Sequence, residues 1–154
     1  MKTQTIISEI THDDLVNLFS TALYGSNYLS SSYDESVDEN DDDCYEDVLA
    51  KILLSGGKIQ ITDYYAEGCD YGNLPRKMDE DENYTYTVTL EDIKTGLAKA
   101  ADGTFNSQSK DFVEDERRFA KRAFDFFVTE ACDFDLTYAD CLMQIILFNE
   151  IIYG

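Results

Sequence analysis

The sequence predicts an α+β protein, and three observations lead to this class. Apolar residues recur at helical spacing in several segments, and capping signals precede most of these segments. Residues 58–66 alternate in polarity and are rich in residues that favour strands. Residues 83–90 have a similar composition and follow a segment with glycines and the only proline. We therefore expect four to five helices around an antiparallel sheet of two or three strands.

The first half of the chain is predicted to contain a short strand, two helices and one strand of the main sheet. Residues 4–8 have the composition of a short strand. Thr11 and Asp14 predict a capping box, in which the hydroxyl and the carboxylate each satisfy a backbone N–H of the first helical turn. Apolar residues at helical spacing also predict a helix that begins near Cys44 and ends at the glycine pair 56–57.

The second half is predicted to be mainly helical. Two further Thr-x-x-Asp capping boxes, at 89–92 and 137–140, mark helix starts. The last helix, 138–153, is apolar almost all round, which is typical of the most buried helix of a domain. Between these two lies a longer helix, roughly 110–130, whose predicted core-facing residues are Phe112, Phe119, Ala123, Phe126 and Phe127.

Length and composition favour a single acidic domain over residues 1–154. A chain of 154 residues, 44% of them hydrophobic, can bury a substantial core. Domains of this size bury roughly 70% of the surface that the unfolded chain exposes. Residues 32–43, between the first two helices, are expected to form a flexible acidic loop.

The net charge of −20 restricts the classes of partner. It arises from 32 acidic and 12 basic residues, and the acidic excess is larger in residues 1–82 than in residues 83–154. Solubility alone requires a magnitude of only about 2–8 in a small domain. Direct binding of DNA or RNA is disfavoured by repulsion, whereas a basic protein or a cation is the natural complement.

No motif in the sequence indicates catalysis or a metal site. His12 is the only histidine, and none of the four cysteines has the C-x₂₋₄-C spacing that structural zinc sites use. EF-hand frames that start at Asp34 or Asp38 lack the glycine at position 6 and the glutamate at position 12. No apolar stretch approaches the roughly 20 residues of a membrane span. We predict a cytoplasmic protein that is not an enzyme and uses no cofactor.

The acidic run at residues 32–47 is the most unusual feature, with nine carboxylates and no base. Seven of them fall in residues 34–43, and ten extended residues span about 33 Å, or one charge per roughly 5 Å. A B-DNA strand carries one phosphate per about 3.4 Å. The run can therefore act as a nucleic-acid mimic; the alternative is a solvated, self-repelling loop.

The predicted partner-binding residues are the carboxylates of this run and of a second cluster that would extend it if the fold brings the two together. They are Asp34, Glu35, Asp38, Glu39, Asp41, Asp42, Asp43, Glu46, Asp47, Asp79, Glu80, Asp81 and Glu82.

Residues 14–32, 87–100 and 139–154 resemble a family of small proteins from bacteriophages and mobile elements of gut bacteria. The resemblance is carried by the turn T-A-L-Y-G-S-N-Y in the first segment and by F-N-E-I-I-Y-G at the end of the last. This chain has Leu29 where the family has tryptophan, and Asn149 where it has glycine. The resemblance implies a phage or mobile-element protein acting in a bacterial host cell, where small acidic proteins often serve counter-defence, as anti-CRISPR proteins do.

Charge and resemblance together predict an inhibitor that binds a basic nucleic-acid-handling host protein, such as a CRISPR effector nuclease. The alternative is a small-ligand-binding or enzymatic accessory protein, in which the Y-G-S-N-Y turn forms the lip of a pocket and the acidic run only solvates the chain.

Overall fold

The protein combines helices with an antiparallel sheet, which confirms the predicted α+β class. The computed structural model describes residues 6–24, 26–34, 44–65, 74–107 and 110–153. Residues 6–8 form a helical turn, so the strand predicted over 4–8 is wrong in its described part. The longer elements in these ranges are α1 (His12–Leu23), β1 (Leu29–Ser32), α2 (Tyr45–Leu54), β2 (Ile59–Asp63), β3 (Arg76–Met78), β4 (Tyr84–Val88), α3 (Leu90–Asp102), α4 (Val113–Val128) and α5 (Leu136–Phe148).

The strands form one sheet in the order β1-β2-β4-β3, with antiparallel pairing throughout. The pairing of β2 with β4 confirms that the two strands predicted from the sequence are antiparallel neighbours. The described residues contain four strands, which corrects the prediction of two or three. The two missed strands, β1 and β3, are edge strands of four and three residues with few β-branched or aromatic side chains.

The strand register determines where the two edge strands, β1 and β3, end relative to each other. Ser32, the last residue of β1, pairs with Gln60, which pairs with Thr87 near the end of β4. Met78, the last residue of β3, pairs with Tyr84 at the start of β4. The chain therefore leaves β1 and β3 at diagonally opposite corners of the sheet, and the two edges are three strand spacings, about 14 Å, apart.

Two of the predicted helix starts have the expected capping boxes. Thr11 and Asp14 exchange backbone and side-chain hydrogen bonds at the start of α1. Thr89 and Asp92 do the same at the start of α3. Because these signals involve residues only three positions apart, they are visible in the local sequence.

The start of α5 differs from the capping box predicted at 137–140. Asp135 is the N-cap, its side chain accepts a hydrogen bond from the backbone N–H of Tyr138 (3.2 Å), and the helix begins two residues earlier than predicted. The local sequence offers both caps, since aspartate and threonine are each favoured at this position. The structure uses Asp135, and the carboxylate of Asp140 makes tertiary contacts instead.

The core-facing side of α4 is rotated relative to the prediction. Phe112 precedes the first helical residue and is 61% exposed, so its assignment to the core is wrong. Phe119 and Phe126 are half-buried, and both rings contact Tyr138. The fully buried side combines small and aromatic residues, Ala120, Ala123, Phe124 and Phe127, of which Ala123 and Phe127 were predicted.

α5 is the central helix of the core, as predicted. Nine of its thirteen residues are buried, and it packs against α1, α3 and α4. The helix ends at Asn149, whose φ of 56° is the left-handed conformation that glycine and asparagine adopt most readily at this position. It is therefore shorter than the predicted 138–153, and residues 150–153 form a non-helical C-terminal tail.

α3 and α5 approach each other closely at Gly96. A Cβ atom at this position would lie 2.4 Å from Cγ1 and 2.7 Å from Cα of Ile146. Glycine is otherwise unfavourable inside a helix. Its missing side chain is what allows the backbone of α5 to pack against α3 here.

We expect Gly96→Ala to lower the free energy of unfolding by about 1–3 kcal/mol, because the added methyl group overpacks this contact. Urea denaturation would measure the change. Thr95→Ala, at an exposed position of the same helix, is the control and should change stability by less than about 0.5 kcal/mol. A Gly96→Ala protein as stable as the parent would show that the two helices can separate without cost.

Candidate functional site

The acidic residues predicted to bind a partner fall into three groups. Asp34 follows β1 and is exposed. Glu46 and Asp47 lie in the first turn of α2, and residues 79–82 lie in the turn between β3 and β4. The other six, Glu35, Asp38, Glu39, Asp41, Asp42 and Asp43, lie outside the described residues.

Asp47 is engaged in contacts within the protein. Its Oδ1 lies 2.7 Å from Nε2 of His12, and its Oδ2 accepts hydrogen bonds from the backbone N–H (3.1 Å) and the thiol (2.9 Å) of Cys44. The bond from the Cys44 thiol, followed by that from His12, lowers the pKa of the Asp47 carboxyl to about 2. Asp47 thereby links the first turns of α1 and α2.

His12 and Cys44 do not form a nucleophile–base pair. The thiol donates its hydrogen bond to Asp47, and this bond raises the pKa of the thiol. A reactive cysteine requires a lowered pKa, because the thiolate is the nucleophile. The geometry therefore gives no support to catalysis by Cys44.

We expect Asp47→Asn to lower the melting temperature at neutral pH and to have little effect near pH 2. The carboxyl pKa is about 4 in an unfolded chain but about 2 in the folded protein. The ionised group therefore stabilises the fold above pH 4, and this contribution disappears as the pH falls towards 2. Thermal unfolding of both proteins across this range measures the effect.

Asp13→Asn is a matched control for that measurement, since Asp13 is an exposed carboxylate in the first turn of α1. It should produce a smaller difference from the parent protein at neutral pH. A difference between parent and Asp47→Asn that persists undiminished at pH 2 would contradict the assigned contacts.

Residues 79–82 form an exposed turn, and one of its carboxylates bonds to the backbone of the turn itself. The carboxylate of Asp79 accepts hydrogen bonds from the backbone N–H groups of Asp81 (2.9 Å) and Asn83 (2.8 Å). The sheet register places this turn at the corner diagonally opposite Asp34. Asp34 and residues 79–82 therefore lie at separate corners of the sheet.

The acidic side chains of the described residues lie mainly at the protein surface. Among the acidic residues in the described ranges, only Asp63 and Glu150 are buried. The remaining carboxylates there are at least partly accessible to solvent. A binding partner would therefore meet a strongly negative exterior.

A cleft of about 730 Å³ forms a second candidate site. Its walls come from the turn at residues 26–28, Tyr65, the first turns of α4, the first half of α5 and the C-terminal tail. The Y-G-S-N-Y turn, which the alternative interpretation predicts as a pocket lip, contributes Ser26, Asn27 and Tyr28 to the lining. The volume is in the range of about 300–1,000 Å³ that is typical of small-ligand sites.

Tyr28 and Asp140 form the polar centre of this cleft. The Tyr28 hydroxyl donates to one carboxylate oxygen at 2.5 Å, and the Gln144 amide donates to the other at 2.7 Å. Burial, and then the bond to Asp140, raises the pKa of Tyr28 far above its ordinary value, so the hydroxyl remains a donor. The carboxylate is therefore held in a fixed orientation.

Gln144 also fixes the C-terminal tail against the cleft. Its side-chain oxygen accepts hydrogen bonds from the backbone N–H groups of Ile152 (2.7 Å) and Tyr153 (2.8 Å), and its amide donates to the Tyr153 carbonyl (2.9 Å). The Tyr153 hydroxyl donates to the buried Asp63 at 2.7 Å. These bonds connect the tail to both α5 and β2.

Two aromatic side chains of the cleft are each supported by a second ring. Tyr65 is 49% exposed and stacks on Tyr28, with ring centroids 5.3 Å apart and planes at 13°. Phe119 stacks on Tyr138 with a centroid distance of 4.9 Å and an angle of 22°. Rings held in this way lose little conformational freedom when a ligand binds.

The lining of the cleft is acidic and contains no activated thiol. Asp115, Glu116 and Asp140 contribute carboxylates, and no Lys, Arg or His is among the described residues that line it. Burial, with the nearby Asp140 and Glu116 charges, raises the pKa of the Cys141 thiol to about 12. A thiol that is protonated at neutral pH is a poor nucleophile, so the arrangement favours binding over covalent chemistry.

Within the described ranges, no group of three His, Cys, Asp or Glu side chains is arranged to hold a metal ion. None of the helices in those ranges has both the length and the apolar character that a membrane crossing requires.

No protein-family model matches the chain, and no curated protein or solved structure matches it. The resemblance to the phage and mobile-element family therefore stays a prediction. Two of the segments that carry it meet at the cleft, where Tyr28 contacts Asp140 and the ring of Tyr153 at a centroid distance of 4.7 Å.

Proposed function

We propose that the protein binds a basic nucleic-acid-handling enzyme, such as a CRISPR effector nuclease, and inhibits it as an acidic nucleic-acid mimic. The observation that carries this proposal is the net charge of −20. Among the described residues, all acidic side chains except two are accessible to solvent. Such a surface repels nucleic acids and attracts a groove lined with lysine and arginine.

The acidic run is the part of the sequence with the highest density of carboxylates. Its seven carboxylates between residues 34 and 43 would occupy positions in the groove that phosphates otherwise fill. In this proposal the protein is a counter-defence factor of a phage or mobile element and acts in the cytoplasm of a bacterial host. It is not itself an enzyme.

The test is DNA cleavage by a panel of purified CRISPR effector nucleases, measured with and without the protein from about 50 to about 300 mM NaCl. Inhibition should weaken steeply as salt rises, because contacts between exposed charges are screened over about 8 Å at physiological ionic strength. Heparin, an unrelated polyanion, should compete with the protein for the same groove. Inhibition that does not respond to salt, or no inhibition of any member of the panel, would overturn the proposal.

A second candidate function is the binding of a small ligand in the cleft, with the acidic run serving only solvation. The fixed polar centre of Tyr28 and Asp140 and the two supported rings favour this function. Together they form a ligand site from residues of this chain alone. Ligand binding of this kind should be unaffected when the seven carboxylates of the run are neutralised.

A further inference from the structure

We propose that the cleft binds a guanidinium group carried on an apolar stem, as in an arginine side chain or a free guanidino compound. The inference rests on the second candidate function, ligand binding in the cleft, and names the class of ligand. It does not depend on inhibition of a nuclease.

The carboxylate of Asp140 can accept the two hydrogen bonds that a guanidinium group donates. Tyr28 and Gln144 donate one hydrogen bond to each of its oxygens. Each oxygen can accept a second bond, so two acceptor positions remain on a carboxylate whose orientation is already fixed. A guanidinium presents two parallel N–H donors that match such a pair of oxygens.

The charge of the cleft favours a cation. Asp115 and Glu116 add carboxylates on the α4 side, and no basic side chain is among the described lining residues. Arg118, outside the lining, lies 3.8 Å from Asp115, so Glu116 and Asp140 supply most of the negative charge. An anionic ligand would therefore meet repulsion, whereas a cation would be attracted by the cleft and by the whole protein.

The aromatic lining favours a planar cation over an ammonium group. Tyr65 and Phe119 each have one face against a second ring, and both line the cleft. Guanidinium stacks on aromatic faces and is less strongly hydrated than an ammonium group, so it loses less hydration on entering such a site. Leu136 and Ile151 add apolar surface for the stem that carries the charge.

The cleft and Asp34, the first carboxylate of the acidic run, lie at different ends of β1. Residues 26–28 precede this strand and line the cleft, whereas Asp34 follows it. A ligand in the cleft would therefore not need the acidic run, which makes the two proposals separable by experiment.

The experiment compares two peptides that differ only in charge. N-acetyl-Phe-Arg-amide carries the guanidinium, and N-acetyl-Phe-citrulline-amide replaces it by a neutral group of the same shape. Isothermal titration calorimetry with the full chain should show at least about tenfold tighter binding of the arginine peptide, since hydrogen bonds to charged groups are the stronger ones. Amide chemical shifts should change at residues 26–28 and in the first half of α5.

Variants of the protein locate the interaction. Asp140→Asn should weaken binding of the arginine peptide at least about tenfold and leave the citrulline peptide nearly unchanged. Asp125→Asn makes the same charge change at an exposed α4 position that is not part of the lining, and should bind like the parent protein. If Asp140→Asn does not fold, Tyr65→Ala replaces it, because Tyr65 is half exposed and its loss should also weaken arginine binding severalfold.

Each result leads to a definite conclusion. Preferential binding of the arginine peptide that depends on Asp140 or Tyr65 supports the inference. Agmatine, a free guanidino compound, then distinguishes the two kinds of ligand. Agmatine binding comparable to that of the peptide indicates a free guanidino compound. Binding of the peptide alone indicates an arginine in a polypeptide. Equal binding of both peptides overturns the inference but retains ligand binding, and binding of neither peptide nor agmatine overturns the inference.

Discussion

Ile146→Asp is expected to unfold the protein at room temperature. Ile146 is 5% exposed, and its Cα and side chain lie against Gly96 at the contact between α3 and α5. An aspartate there must either lose the hydration of its charge or take up a proton, and it also leaves unfilled volume. Together these effects cost roughly 4–8 kcal/mol, which is comparable to a total stability of about 5–15 kcal/mol.

Far-UV circular dichroism and the dispersion of amide resonances would measure this loss. Ile146→Val is the matched control, because it also shortens the side chain but adds no polar group, and it should cost only about 0.5–1.5 kcal/mol. An Ile146→Asp protein as stable as Ile146→Val would contradict the burial of this side chain at the contact between α3 and α5.

The local features of the fold were predictable from the sequence. The capping boxes at Thr11 and Thr89 each depend on residues three positions apart, and the apolar composition of α5 requires burial whatever its partners are. The edge strands were not predictable, because β1 contains three serines and its pairing with β2 depends on residues some thirty positions later. The end of α5 at Asn149 was also missed, since asparagine marks a left-handed cap less clearly than glycine does.

The cleft was only partly predictable. The turn at residues 26–28 was considered as a pocket lip, but nothing in the sequence near it indicates Tyr65, Phe119 or Asp140 as neighbours. The local pattern assigned Asp140 to a capping box, and only the fold shows that it bonds to Tyr28. Sites built from distant segments have no local sequence signal, whereas the acidic run is visible in the sequence because its residues are contiguous.

Tyr28 and Tyr153 give the cleft a structural role as well as a candidate binding role. Tyr28 and Tyr153 connect the turn before β1 with the C-terminal tail through their ring contact, and their hydroxyls bond to Asp140 and Asp63. Substitutions at these two tyrosines would therefore disturb the fold together with the cleft. Tyr65, whose ring is half exposed, is the better position at which to separate binding from stability.

Neutralising the seven carboxylates between residues 34 and 43 to Asn or Gln is expected to abolish inhibition of the target nuclease. Single substitutions there should be nearly silent, because an exposed ion pair contributes only about 0–1 kcal/mol. Seven contacts of about 0.5 kcal/mol each would amount to roughly 3–4 kcal/mol, or several hundredfold in affinity. Folding should be retained or slightly stabilised, since the substitutions relieve repulsion between like charges.

A control variant with the same net charge distinguishes a local mimic from a general effect of charge. Both variants change the net charge from −20 to −13 by removing seven negative charges. The control neutralises seven exposed carboxylates elsewhere in the described residues, namely Glu91, Asp102, Asp111, Glu114, Asp125, Glu130 and Asp133. Cleavage assays at matched salt should show that the control still inhibits and the variant of the acidic run does not. If both variants inhibit fully, the mimicry proposal is wrong; if both lose inhibition equally, overall charge rather than the acidic run determines binding.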